Sequence, residues 1–237
     1  FGDVNLAFER NRFYAVVGRV GCGKTSLLLA LLGEMQMSKE TEFGHMFSCL
    51  KIAYVPQDPV IFNDTVRENI CFGVPLDLEK YEKVCSSSAL DHDVSLFPDG
   101  DASVIGSRGI NISGGQQARI CLARSLYSEA DVHLLDDPLA KLDARVSAEV
   151  LSNAILGLLR EKTRIMVTNN VNVVRVADSL IRVEAGTVLL DCHVDASEVD
   201  LIASKNSTDD CTLGISQAQF DDEEDEQLPA SLCIADY

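Results

Sequence analysis

Three stretches of this chain set residues able to handle phosphate at fixed spacings. The first is Gly18-Arg19-Val20-Gly21-Cys22-Gly23-Lys24-Thr25-Ser26, lying between the apolar runs Phe13–Val17 and Leu27–Leu32. Strand, glycine loop and helix in that order form the context in which G-x-x-x-x-G-K-[ST] wraps an anion. Glycines let backbone N–H groups close around phosphates, and the helix start adds the positive end of its dipole. Lys24 is placed to reach the β- and γ-phosphates, and Thr25 to offer its hydroxyl to Mg²⁺.

The second stretch is Val132-His133-Leu134-Leu135-Asp136, an apolar strand ending in an acid. An acid at the carboxyl end of a parallel strand sits where ligands bind in open α/β sheets, so Asp136 is the candidate to hold magnesium through water. His133 alternates to the other side and reads as a packed histidine. The third is Ser113-Gly114-Gly115-Gln116, which opens a helix expected over 117–128. A serine and two glycines at a helix start form another anion site. One phosphate loop has no use for a second such turn; two domains facing each other do.

These motifs need a framework. Phe13–Val17, Lys51–Val55, Val132–Asp136 and Arg164–Val167 read as strands, and 179–183 with 187–192 as a closing pair around Ala185-Gly186. The spacing of apolar residues predicts a helix over 144–160 and a short one over 171–178. From Asp64 to about Tyr127 the pattern is helical and irregular. Tyr14 falls inside a strand and reads as core.

Composition bounds the rest. The chain has 237 residues, 46% apolar and 24% charged, enough for one α/β domain with a tail. The net charge is −17, but residues 191–237 hold 13 acids and one base, while residues 1–190 hold 24 acids and 19 bases. The part expected to fold is mildly acidic, lacks a basic footprint, and contains no Trp, which argues against nucleic acid as a partner. The eight cysteines form no C-x-x-C pair, as in a chain kept reduced. No apolar run reaches membrane-spanning length, so the sequence reads as a soluble cytosolic piece of a longer chain. The block Asp221–Glu226 repels itself, and 195–237 is expected to be an acidic, mostly disordered linker.

Taken in order, Walker A at Gly18–Ser26, Gln57 after Val55-Pro56, the signature Ser113–Gln116, Walker B ending at Asp136, and Leu142-Asp143 resemble the nucleotide-binding domain of an ABC transporter. The segments Asn63–Ile70, Gly109–Gln116 and Leu134–Leu139 are most similar to the first such domain of subfamily C, the multidrug-resistance-associated exporters. The resemblance implies a P-loop NTPase of α/β class: a RecA-like core with a mainly parallel sheet over residues 1–194, and an inserted helical subdomain at about 58–130. It implies ATP and Mg²⁺ as cofactors, with Thr25, Gln57 and Asp136 around the metal. A second nucleotide-binding domain is the implied partner in a head-to-tail ATP sandwich, along with transmembrane domains at the cytosolic face of a membrane. Ser113, Gly114, Gly115 and Gln116 would complete the partner's site.

Two positions depart from the family pattern. Asp137 stands where hydrolysing domains carry Glu, and Asn169 where they carry a switch His. Asp is one methylene short, and Asn lacks an imidazole's charge. The expectation is a degenerate site that binds MgATP and turns it over slowly, within a protein that is an ATPase as a whole. The same residues would suit a nucleotide-sensing domain of a subfamily C channel or channel regulator, and less well a soluble ABC ATPase. Ile112 replaces the usual Leu of the signature at conserved volume. The family's adenine-stacking aromatic is expected upstream of Phe1.

Overall fold

The computed structural model describes residues 6–35, 50–106, 109–184 and 187–191. Its main sheet has six strands: β1 (Phe13–Val17), β2 (Ile52–Val55), β5 (Val132–Asp136), β6 (Thr163–Val167), β7 (Ser179–Glu184) and β8 (Thr187–Asp191). They are ordered β2-β5-β6-β1-β7-β8. Every neighbouring pair is parallel except β7 with β8, which closes the edge antiparallel. β1, β5 and β6 are buried along their whole length, which explains why they read as continuous apolar runs rather than alternating ones.

The two sheet faces carry different covers. Tyr14, Val16, Leu134, Ile165, Val167, Ile181 and Val183 form one face and pack on Leu27, Leu28 and Leu31 of α1 (Lys24–Leu31). Phe13, Leu135 and Met166 belong to the other cluster, which the remaining helices cover. These are α2 (Val66–Cys71), α3 (Leu78–Ser87), α4 (Asp91–Leu96), α5 (Gly114–Tyr127), α6 (Ala144–Val150) and α7 (Val171–Val174). A two-stranded ribbon, β3 (Asp64–Thr65) with β4 (Val104–Ile105), braces α2.

Strand ends fall within a residue of expectation, and three helices differ from it by more. The signature helix starts at Gly114 rather than 117, because Ser113 caps it with its side chain. The helix expected over 144–160 is α-helical only to Val150; from Leu151 to Leu158 it widens to π-type turns, with Leu159 N–H bonded to the Ala154 carbonyl. The helix expected over 171–178 is one turn, Val171–Val174. Tyr14 is core, as expected: it is 2% exposed, stacks edge-on against Phe8, and its hydroxyl accepts from Glu9 N–H. The turn Ala185-Gly186 and the acidic segment 195–237 lie outside the described residues.

Candidate nucleotide site

The parallel strands bring the first set of motifs together. β1 runs into the glycine loop, β5 ends at Asp136, β6 ends before Asn169, and β2 ends before Gln57. Register puts Asp136 beside Val167 and Val167 beside Val16, so the glycine loop, Asp136 and Asn169 emerge at one edge of the sheet. This is where an open α/β sheet binds its ligand.

Gly23 caps α1 with φ 104°, a left-handed conformation that suits glycine. Gly18 is required for closeness: a Cβ there would meet the Val183 carbonyl oxygen and crowd Cys22 Sγ. The loop thus lies directly on the backbone of β7. Its lysine closes over it, with Lys24 Nζ donating to the carbonyls of Gly18 at 2.7 Å and Arg19 at 3.0 Å. Val20 stands out into solvent at 87% exposure.

One turn into α1, Thr25 Oγ1 donates to Asp136 Oδ2 at 2.8 Å. Asp136 is 2% exposed, and Tyr54 from β2 approaches the same oxygen at 3.5 Å. Burial and the Asp136 charge push the Tyr54 hydroxyl up to about 12, so it remains a neutral donor. A hydroxyl beside a carboxylate, next to a glycine loop and an ammonium, is a donor set that fits a hard divalent cation with a phosphate chain. Gly18 through Ser26 could hold the phosphates, and Thr25 and Asp136 the metal. Gln57 is exposed just past β2 and makes no hydrogen bond among the described residues.

Asp137 follows in a left-handed turn, φ 47°, with its N–H on the Val167 carbonyl. Asp tolerates that conformation better than most residues. Burial, then the charge of Asp136, raises its pKa, while Lys24 pulls the other way. Asn169 lies beyond Thr168, whose N–H bonds the Val16 carbonyl, and before Asn170, which caps α7. Asp137 and Asn169 therefore follow neighbouring strands at the same edge.

The signature turn stands apart: among the described residues no hydrogen bond or ion pair joins Ser113–Gln116 to the glycine loop. Ser113 and Gly114 are exposed, while Gly115 approaches Lys141 and Leu142 behind Walker B. Ser113 Oγ accepts from Gln116 N–H at 3.2 Å, and Gln116 Oε1 accepts from Ser113 N–H at 2.8 Å, a reciprocal cap. Asp143 caps α6, accepting from Arg145 and Val146 N–H. Ile112 is buried in the helical cluster.

His133 is buried on the opposite face, as its strand parity indicated, with Nδ1 2.8 Å from Ser125 Oγ. An element that periodicity did not reveal is an exposed aromatic patch. Phe62 and Phe72 stack at 5.1 Å, and the Arg124 guanidinium lies over both rings while bonding Asn69 and the Val60 carbonyl. Phe72 is 57% exposed.

The fold and loop define a P-loop nucleotide-binding domain. The ABC transporter family matches residues 1–140, and the chain belongs to that family. Subfamily C proteins are among its relatives. It is 47% identical over 188 residues to "Multidrug resistance protein mrp-7" of Caenorhabditis elegans, covering 78% of this chain and 12% of that protein. It is 45% identical over 187 residues to "ABC transporter C family member 13" of Arabidopsis thaliana, 78% of this chain and 13% of the relative. Against "ATP-binding cassette sub-family C member 2" of Mus musculus it is 43% identical over 189 residues, 79% and 12% respectively. The matched region thus spans about an eighth of each relative's length. Among the described residues no helix is long and apolar enough to cross a membrane.

Proposed function

We propose that this domain is the clamp half of an ATP sandwich in a subfamily C exporter. In this reading Gly18–Ser26 holds the phosphates of ATP, with Lys24 turning from the loop carbonyls to the β- and γ-phosphates. Thr25, Asp136 and Gln57 hold Mg²⁺, which when bound would offset phosphate charge. Asp137 and Asn169 leave the site slow, and Ser113–Gln116 completes the competent site of a second nucleotide-binding domain. ATP binding then drives closure, while turnover falls mainly to the partner.

The observation that carries this is the placement of Asp137 and Asn169 at the ends of paired strands β5 and β6 beside the Thr25–Asp136 pair. The Asp137 carboxylate is about 1.5 Å short of a glutamate's reach, one C–C bond. A displacement of that size costs about 10²-fold in rate. Losing a positioned acid or base costs about 10²–10⁴, and two groups acting as a unit do not simply multiply.

Residues 58–130 would be the helical subdomain of a domain covering 1–194, followed by the acidic linker. The transmembrane domains would press on the surface beside Gln57, where Val60, Phe62 and Phe72 are exposed; such patches mark contacts. The names of the relatives, which include "Multidrug resistance protein" and "ABC transporter", favour a transporter over a channel regulator.

The test follows nucleotide fate in the full-length protein, with the partner domain's Walker lysine replaced so that only this site can turn over. After loading with MgATP and removing the excess, intact ATP is expected to remain for hours, and Lys24→Ala retains none. Asp137→Glu with Asn169→His converts bound ATP to ADP. Wild-type ADP formation well above the Lys24→Ala background would overturn the clamp assignment.

A further inference from the structure

The reciprocal cap at the signature turn works only if the Gln116 amide points the right way. Its carbonyl must face Ser113 N–H, which leaves its NH₂ turned to the other side. A glutamine amide can rotate half a turn at little cost unless a neighbour accepts from its NH₂ alone. That neighbour is Asp93 in α4: Gln116 Nε2 donates to Asp93 Oδ1 at 2.8 Å.

Asp93 is held in turn. Its other oxygen, Oδ2, pairs with Arg119 Nη1 at 2.7 Å, and the two side chains are 13% and 11% exposed. Arg119 also bonds the carbonyls of Gly115 and Ala89. Ala89 is left-handed at φ 53°, a strained conformation for a residue with a Cβ, so its carbonyl is presented by the turn between α3 and α4. The chain of contacts runs from that turn through Arg119 and Asp93 to Gln116, and from there to the exposed Ser113 hydroxyl.

We propose that Asp93 is a positioning residue for the signature: as an acceptor-only group it sets the Gln116 amide, which holds Ser113 through its N–H and so places Ser113 Oγ for the partner's nucleotide. The proposal rests on the signature-donor reading above. It makes α4, which among the described residues has no hydrogen bond or ion pair with the glycine loop or Asp136, a determinant of turnover at the other site. An isosteric Asp93→Asn fails in a specific way. Arg119 donates only, so it takes the single remaining oxygen, and the new NH₂ faces Gln116 and turns its amide over.

The test uses ATPase activity of the full-length protein. Ser113→Arg is the control for signature donation and abolishes turnover. Asp93→Asn lowers kcat about tenfold, as a misplaced contact does, with KM for ATP within about twofold. Combined with Gln116→Ala it costs no more than Gln116→Ala alone, because the effect runs through that amide. Gln116→Glu sets two carboxylates face to face and is impaired; adding Asp93→Asn restores turnover, a rescue a purely structural role would not produce. If Ser113→Arg is harmless, the signature-donor reading fails. If Ser113→Arg is inactive but Asp93→Asn stays within twofold, or its loss multiplies with Gln116→Ala, the assignment of Asp93 fails alone. Should Asp93→Asn not accumulate, absence of rescue in the Gln116→Glu pair overturns it.

Discussion

Thr25→Val isolates one bond at the centre of the site. Threonine and valine are near-isosteric, so the change removes the Oγ1–H···Oδ2 contact of 2.8 Å and little else. Asp136 is 2% exposed, and its remaining partner on that oxygen is Tyr54 at 3.5 Å, a long contact for O–H···O. Hydrogen bonds to charged groups contribute about 1.5–3 kcal/mol, and a buried acceptor left short of donors bears its desolvation cost. The added methyl offsets a fraction, so a net loss of about 2 kcal/mol is expected. With a urea m-value of about 2 kcal/mol/M, the unfolding midpoint falls by about 1 M. Thr25→Ser keeps the hydroxyl and should lose less than half as much. The assay is urea unfolding without nucleotide, repeated with ATP in Mg²⁺ and in chelator. With ligand, Thr25→Val loses the Mg²⁺-dependent share of ATP stabilisation and keeps the share seen in chelator. Equal stability of wild type and Thr25→Val, or equal losses for valine and serine, would show that the bond does not hold the two motifs together.

Two further outcomes are expected. Burial depresses the His133 pKa from 6.5 to about 4, so folding favours the neutral ring. That stability is fully present above pH 6.5 and is lost as pH falls toward 4, by up to about 3 kcal/mol; His133→Gln should flatten thermal midpoints across that window, and an unchanged profile would refute it. Phe72→Ser removes a side chain that is 57% exposed, so domain stability should change by about 1 kcal/mol or less. Under the proposed docking it lowers transport in the full-length protein; transport unaffected by this change would remove the patch from the membrane-domain contact.

Much of the candidate site was legible in the sequence because phosphate chemistry constrains short, contiguous stretches. Gly18 to Ser26 carries its own strand and helix on either side, and Asp136 ends an apolar run. Such signals survive in one dimension because loop and flanking elements are adjacent in the chain. The places of Asp137 and Asn169 just past two apolar strands were also legible. Boundaries were less so: the shift from α to π turns after Val150 leaves apolar spacing nearly intact, and a serine cap moves a helix start by a turn.

What the amino-acid order determined by itself was the class of chemistry, the parallel α/β core and the acidic character of the region after β8. Only the tertiary structure decided how distant positions meet. Thr25 and Asp136 are 111 positions apart, and their contact exists because β5 lies beside β6 and β6 beside β1. Asp93 and Gln116 are 23 apart on separate helices, and no periodicity links them. Phe62, Phe72 and Arg124 form one surface because α5 returns across α2. Local propensity writes itself along the chain; strand order and helix packing arise from burying two sheet faces at once, and that is settled only when all the elements are in place.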